Sequence, residues 1–280
     1  MGLKVKFVVA RYGFDTLFRE HANETFMEDL FSGVVLEEQN FQYAIGNHEV
    51  ETIGETQITK GTFGRIRRGQ RVDIFDVDNK QFVEESIEQI ADVLIQIFFV
   101  HDYHLIFIEQ SGELPPETVL KKIRSIYEKI SEIARVQADF IFEEHDIYEA
   151  ISQWDRVERI SFKNLRPTNP SSKDDFREFE ELIKQTGSDQ TSIEFKVSQR
   201  KSEEDPSAGL NADSKLIGQA LALSAHGYGD ATLQGEKSGE HQEVKTSKFL
   251  KKVEINFAED GAINKIVQTV EELQSDDKEG

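Results

Sequence analysis

The sequence contains no cysteine. That excludes a disulfide framework, a thiolate zinc site, an iron–sulfur cluster and a cysteine nucleophile. No apolar run approaches the ~18–20 residues that span a bilayer. The opening Met1-Gly2-Leu3-Lys4-Val5-Lys6 lacks the apolar stretch and cleavage site of a secretory signal. Neither Gly-x-x-x-x-Gly-Lys nor Gly-x-Gly-x-x-Gly occurs, and there is no Gly-x-Ser-x-Gly elbow. The chain therefore offers no P-loop, no dinucleotide fingerprint and no hydrolase nucleophile of that kind. No solenoid repeat is visible either. A cytoplasmic protein with no membrane partner and no cofactor is expected.

What is present in quantity is negative charge. Against 33 Lys and Arg stand 53 Asp and Glu, a net charge of −20 in 280 residues. Such an average favours solubility and repels polyanions, yet it can conceal a local patch. Residues 1–72 are almost balanced at −1, so residues 73–280 carry −19. An anion-binding site is expected in the first quarter.

Alternation and β-branching in Leu3–Ala10 predict a strand. Asn23 can cap a short helix to about Phe31, stopped by Gly33. From Val34 to about Ile108 the pattern is mostly alternating, as in Phe41–Ile45, Glu49–Ile53, Thr62–Ile66 and Val72–Phe75. Turn signals at Gly46-Asn47, Gly61 and Asp78-Asn79 divide it into an antiparallel meander. The apolar runs Val93–Val100 and Leu105–Ile108 flank His101-Asp102-Tyr103-His104 and predict a hairpin buried on both faces. The Val119–Ile133 helix and the N-terminal meander could cover it, or a second subunit could, and a homodimer is expected on this ground.

After Pro115-Pro116 the apolar period becomes 3.6, giving a helix over Val119–Ile133. Strands follow at Ala138–Phe142, Val157–Phe162 and Ser192–Val197, with a short helical insertion near Asp146–Trp154 and a helix capped by Ser171/Ser172 and stopped by Gly187. Read in order, Leu105–Val197 is β-α-β-β-α-β, the ferredoxin-like arrangement. Residues 200–209 read as a linker. A helix from Asn211 to His226 with Gly227 as its cap, strands near Ala231–Gly235 and Val253–Phe257 with a hairpin signal at Lys237-Ser238-Gly239-Glu240 between them, and an amphipathic helix after Gly261 complete the chain. The acidic tail from Ser275 is expected to be disordered.

The leading candidate site is Lys60-Gly61-Thr62-Phe63-Gly64-Arg65-Ile66-Arg67-Arg68-Gly69-Gln70-Arg71, five bases without an acid. On a strand, Phe63, Arg65 and Arg67 share a face, with successive side chains ~6.6–6.8 Å apart. Guanidinium groups beside an aromatic suit phosphates and nucleobases. The same stretch also reads as an exposed basic strand paired with the chain's own carboxylates.

Other clusters carry weaker chemistry. His101 and His104 could share a metal ion only if their turn folds them together, with Glu109 as a third ligand, and otherwise form a polar turn. Glu194-Phe195-Lys196, downstream of Asp174, Asp175 and Asp189, has the Glu-x-Lys spacing of metal-dependent nucleases. Glu243-Val244-Lys245 repeats that tripeptide, which favours alternating charge on a solvated strand. Glu143-Glu144-His145-Asp146 reads as a solvated acidic loop, and His226 as an ordinary cation at a helix C-terminus.

Two stretches resemble parts of poorly characterised bacterial phage-defence proteins. One is His104–Gln110 with the helix after Pro115-Pro116. The other is Arg166-Pro167-Thr168-Asn169-Pro170 followed by Gly209-Leu210-Asn211, Leu216–Leu221 and Gly227-Tyr228-Gly229. The length and the β-rich first half are also similar to the RexA-like phage-exclusion proteins, and the resemblance implies a DNA-binding sensor.

Together these readings predict an α+β protein. It comprises a β-rich N-terminal meander (1–110), a ferredoxin-like (βαββαβ) middle (111–200) and an α+β C-terminal segment (201–280). The expected function is non-enzymatic binding or sensing in phage defence, touching nucleic acid or a nucleic-acid-bound protein partner through Lys60, Phe63, Arg65, Arg67, Arg68 and Arg71. A metal-dependent nuclease and an oligomeric scaffold are the alternatives.

Overall fold

The computed structural model describes residues 4–15, 19–76, 81–131, 134–166, 176–188, 190–198, 208–256 and 262–275, with backbone alone at 15, 19–24, 68–76, 81–90, 262 and 274–275. The expected turn at Asp78-Asn79, the caps Ser171/Ser172, most of the 200–209 linker and nearly all of the acidic tail lie outside the described residues. The fold is mixed α and β and rich in strand. It divides into two compact units, one of Val5–Phe7 with Phe14–Gln137, the other of Met1–Lys4, Val8–Gly13 and Ala138–Gly280. These bounds differ from the three segments read from the sequence.

The first unit contains part of β1 (Lys4–Asp15), then α1 (Arg19–Leu30), β2 (Leu36–Glu37), β3 (Phe41–Ile53), β4 (Thr56–Asp76), β5 (Gln81–Val100), β6 (Leu105–Glu109) and α2 (Pro116–Ile130). Its strands lie in the order β6-β5-β4-β3-β2, with β1 beside β6, where Gln110 N–H donates to the Lys6 carbonyl at 2.7 Å. The meander is real, but its strands are longer than the turn signals suggest. Asn47, at φ 52°, forms a bulge inside β3. Gly61 stays within β4, where a Cβ would lie 2.6 Å from the Phe31 ring. The reversal falls instead at Gly54, φ 62°, which joins the paired residues Ile53 and Thr56.

The β5–β6 hairpin pairs Ile97 with Ile108 and Val100 with Leu105, and Ile97–Val100 and Leu105–Ile108 are all buried. Rings of Phe26 and Phe31 approach Phe99 at 6.0 and 6.1 Å, and Tyr127 of α2 approaches Phe26 at 5.0 Å. Phe7 meets Phe98 edge-on at 5.6 Å. Burial on both faces is thus complete in one chain, and this hairpin supplies no reason for a second subunit. The amphipathic helix begins one residue past Pro115, with Val119, Leu120, Ile123, Ile126 and Tyr127 turned inward.

The second unit continues through β7 (Arg135–Phe140), α3 (Glu144–Ser152), β8 (Arg156–Leu165), α4 (Arg177–Gln185), β9 (Thr191–Lys196), α5 (Lys215–Ala225), β10 (Asp230–Lys237), β11 (Glu240–Lys245), β12 (Lys252–Asn256) and α6 (Ala262–Ser275). A four-stranded antiparallel sheet runs β11-β10-β8-β9. Ile160, Phe162, Ala231 and Leu233 are buried on one face of it, and Arg159, Lys163, Glu194 and Glu243 are exposed on the other. The expected ferredoxin-like sheet does not form. β6 pairs with β5, β7 with β1, and β8 and β9 share a sheet with β10 rather than with β6. The short turn after Val100 joins β6 to β5, and strands so joined usually lie side by side. The hairpin turn expected at Lys237–Glu240 forms through Ser238 and Gly239, both at positive φ, but its second strand is β11, which sequence reading missed, rather than the strand near Val253.

Gly235 sits at a bulge where β10 crosses β8, with the Arg156 carbonyl and the Trp154 ring packed where a Cβ would project. Gly235→Ala should therefore lower the stability by about 1–3 kcal/mol. A fall in the urea midpoint at unchanged m-value is the expected result.

Candidate functional site

The register of the first unit places Phe41 opposite Arg67, Tyr43 opposite Arg65 and Ile45 opposite Phe63. Directly opposed residues share a face of the pleat, so one face grades from core to rim along β4. Phe63 is fully buried, the Arg65 side chain is 16% exposed and that of Arg67 47%. Phe63 is accordingly a core residue that cannot stack on a base. Lys60 lies further toward the other end of the strand, opposite Glu49 and 3.4 Å from its carboxylate. Arg68 and Arg71 continue β4 and pair in register with Gln89 and Ser86.

Arg65 is held rather than free. The β4–β5 ladder shifts between Arg65 and Ile66, which oppose Val93 and Ala91, so Asp92 is the extra residue of a bulge. Arg65 donates through Nε and Nη2 to the two Asp92 oxygens at 3.1 and 3.0 Å, and Arg67 donates through Nε at 2.8 Å. Hydrogen bonds from Arg65 first, then Arg67, hold the Asp92 carboxyl below the usual carboxylate range, and the Asp92 hydrogen bond raises the Arg65 guanidinium. Both guanidinium carbons lie over the Phe41 ring, at 4.9 and 6.0 Å from its centroid. Two guanidinium groups share the Asp92 carboxylate, the charge of Glu113 also acts on Arg65, and Arg67 is the accessible member.

Phe41 and Asp92 were missed by sequence reading. Asp92 was legible in principle, since Ile90-Ala91-Asp92-Val93 breaks the alternation and puts a lone acid beside an apolar run. Phe41 was not, because its place under the arginines depends on the β3–β4 register.

Among the described residues the other clusters do not assemble, and Asp174, Asp175 and Asp189 lie outside those residues. His101 Nε2 lies 2.7 Å from Thr59 Oγ1, and burial pushes its pKa down. Glu109, at the far end of β6, accepts the Gln96 N–H at 2.8 Å. No group of three potential metal ligands occurs among the described residues. Glu194 accepts from Arg159 and, at 3.3 Å, from Ser161. Hydrogen bonding to Arg159, above all, lowers its pKa. Glu243 belongs to the opposite edge of the sheet, three strand spacings or roughly 14 Å away. Glu143, from the acidic cluster, pairs with Lys251 at 3.2 Å.

Two segments of the second resembling stretch meet in the second unit. Arg166 donates through Nη2 to the Gly227 carbonyl at 2.9 Å and pairs with Asp139 at 2.8 Å, while its N–H donates to the Tyr228 carbonyl. Arg11 donates to the His226 carbonyl at 2.9 Å and lies over the Tyr228 ring at 5.1 Å. Two guanidinium groups thus satisfy carbonyls just beyond the C-terminus of α5, an anchoring role that also suits the helix dipole.

A family model described as Domain of unknown function (DUF4747) matches residues 20–271. The chain belongs to the DUF4747 family. No curated protein matches it. The DUF4747 match spans β3, β4 and β5 and so includes Phe41, Asp92 and every arginine of the basic strand. No helix among the described residues is long and apolar enough to cross a membrane.

Asp92→Asn removes the shared acceptor of Arg65 and Arg67 and should cost about 1–3 kcal/mol at neutral pH. A depressed folded pKa contributes stability that is present above the unfolded value of about 3.9 and lost as pH falls through the folded one. Urea titrations should therefore show a gap between wild type and variant at pH 7 that narrows below pH 4, and a gap independent of pH would disconnect Asp92 from it. Separately, the engagement of Glu194 with Arg159 predicts that purified protein with Mg²⁺ or Mn²⁺ leaves DNA and RNA intact. Cleavage abolished by Glu194→Ala or Lys196→Ala would restore the nuclease reading.

Proposed function

We propose that this protein is a non-enzymatic binding or sensing protein of bacterial phage defence, acting in the cytoplasm. In this reading it engages nucleic acid, or a nucleic-acid-bound partner, at the base of the β4–β5 hairpin. One observation carries the proposal. The pairing of β3 with β4 ends at Phe41 and Arg67, and β6 pairs with β5 only from Ile97 to Val100. Beyond Arg67, β4 and β5 pair only with each other among the described residues, out to Asp76 and Gln81.

That leaves a two-stranded antiparallel ribbon about ten residues a side, roughly 30 Å long. A two-stranded ribbon is one of the elements a DNA major groove admits. Arg67, Arg68 and Arg71 stand at its base, and their register partners Ile90, Gln89 and Ser86 are uncharged. The distal half carries Asp73, Asp76, Glu84 and Glu85 and would be repelled by phosphate. Contact is therefore confined to the base, next to the exposed edge of the Phe41–Arg65–Arg67 stack. The near-neutral first quarter and the resemblance to phage-defence proteins support the same reading.

Fluorescence anisotropy with a labelled ~30-base-pair duplex at low salt should show binding by the wild-type chain. Combined Arg67→Glu, Arg68→Glu and Arg71→Glu should weaken it at least about tenfold and flatten the salt dependence by about three units of slope. Arg65 is left in place because Asp92 needs it. Wild type that binds neither duplex nor single-stranded DNA or RNA at low salt would end the proposal. For the defence role, cells producing the wild-type chain should plate phage less efficiently than cells producing the triple variant, and equal plating would remove that part.

A further inference from the structure

Among the described residues the second unit's sheet ends in β9, and the residues of that edge are arranged in a chemically palindromic order. About Phe195, the sequence Ser192-Ile193-Glu194-Phe195-Lys196-Val197-Ser198 places acid against base, aliphatic against aliphatic and serine against serine. We infer that β9 pairs antiparallel with β9 of a second copy of this chain about a two-fold axis at Phe195, joining two four-stranded sheets into one.

The backbone is phased for this pairing. Val197 N–H donates to the Glu158 carbonyl of β8 at 2.9 Å, and antiparallel hydrogen bonding alternates along a strand. Phe195 and Ile193 therefore turn their backbone groups toward β8, while Glu194 and Lys196 turn theirs to the open edge. About the proposed axis, Glu194 of one copy faces Lys196 of the other, so the outward groups exchange both hydrogen bonds of each such pair. Phe195 meets its own counterpart in the closer, non-hydrogen-bonded type of pair, and Ile193 meets Val197. A two-fold interface requires this self-complementarity.

The side chains are phased for it too. Ile193, Phe195 and Val197 are only partly buried, although Phe195 packs on Phe162 with ring centroids 6.2 Å apart. Lys196 is 69% exposed and directly opposes Arg159, a like charge, with Glu194 reaching it only at 3.9 Å. A second copy would set its own Glu194 beside that lysine, an opposite charge directly across the axis. No proline interrupts Thr191–Lys196, and the one register shift in its pairing with β8, opposite Thr191–Ile193, leaves the ladder from Ile193 to Lys196 regular about Phe195.

The other edge, β11, repeats Glu-x-Lys at Glu243–Lys245 but cannot use it in the same way. The chain turns at Thr246 into a 3-10 turn, and Thr246 is buried with its hydroxyl on Ala231. The palindrome is truncated there. The inference rests on β9 alone and is independent of any nucleic-acid contact.

Sedimentation equilibrium of the full chain at ~10–100 μM should give twice the 32.0 kDa chain mass. Lys196→Glu opposes acid to acid at both symmetric positions, and should raise the dimer dissociation constant about tenfold or more. The double variant Glu194→Lys, Lys196→Glu restores opposite charges across the axis, and its new acid faces Arg159, so it should fold and dimerise again. In this cysteine-free chain, Phe195→Cys should cross-link copies under mild oxidation, whereas Val244→Cys on β11 should not. A monomeric wild type at 100 μM, a dimer indifferent to Lys196→Glu, or a charge-swapped variant as weak as the single one would each overturn the inference.

Discussion

The antiparallel ladder between β4 and β5 is the constraint on which the first unit depends. At the Ile58–Val100 end it is buried on both faces, and at the Asp76–Gln81 end its strands pair only with each other among the described residues. Few strands in globular proteins run twenty residues. A ladder of that length links a packed interior to a ribbon without a linker, so a side chain near its middle belongs partly to each. Arg65 and Arg67 stand at that transition.

Their geometry follows from one inserted residue. Without the bulge at Asp92, the strict alternation of β5 would assign its carboxylate by parity to one face or the other. The insertion instead aims it at both guanidinium groups, which also share the Phe41 ring. The pairing offsets the desolvation of Arg65 and leaves Arg67 exposed, so one arginine anchors and its neighbour is accessible. Charge counted along the strand could not separate those roles, because burial assigns them.

The second unit treats charge differently. Its sheet buries one face and spreads acids and bases over the other, where Arg159 and Glu194 bond directly and Lys245 and Glu243 approach at 3.6 Å. Solvent-exposed pairs of this kind contribute little stability. Their consequence is specificity at the edges, since a strand whose charges alternate in sign favours some registers and penalises others. Inside the same unit, Arg11 and Arg166 spend their donors on carbonyls beyond α5, which fixes the chain where Gly227 and Gly229 adopt positive φ.

The sequence by itself determined the elements whose signals are local. Pro115-Pro116 and the 3.6-residue period set the start and inner face of α2, the continuous apolar runs set the doubly buried β5–β6 hairpin, and Gly187 and Gly227 mark the ends of α4 and α5. It also located the basic strand and the absence of cysteine chemistry. Strand partnership was decided only in the tertiary structure. The order β-α-β-β-α-β is compatible with several sheets, and hydrogen bonding between distant strands, which periodicity does not encode, drew β8 to β10. The same holds for the site. Phe63 and Arg67 lie on one face of one strand, yet one is sealed in the core and the other reaches solvent, because burial depends on what packs across the strand rather than on the residues within it.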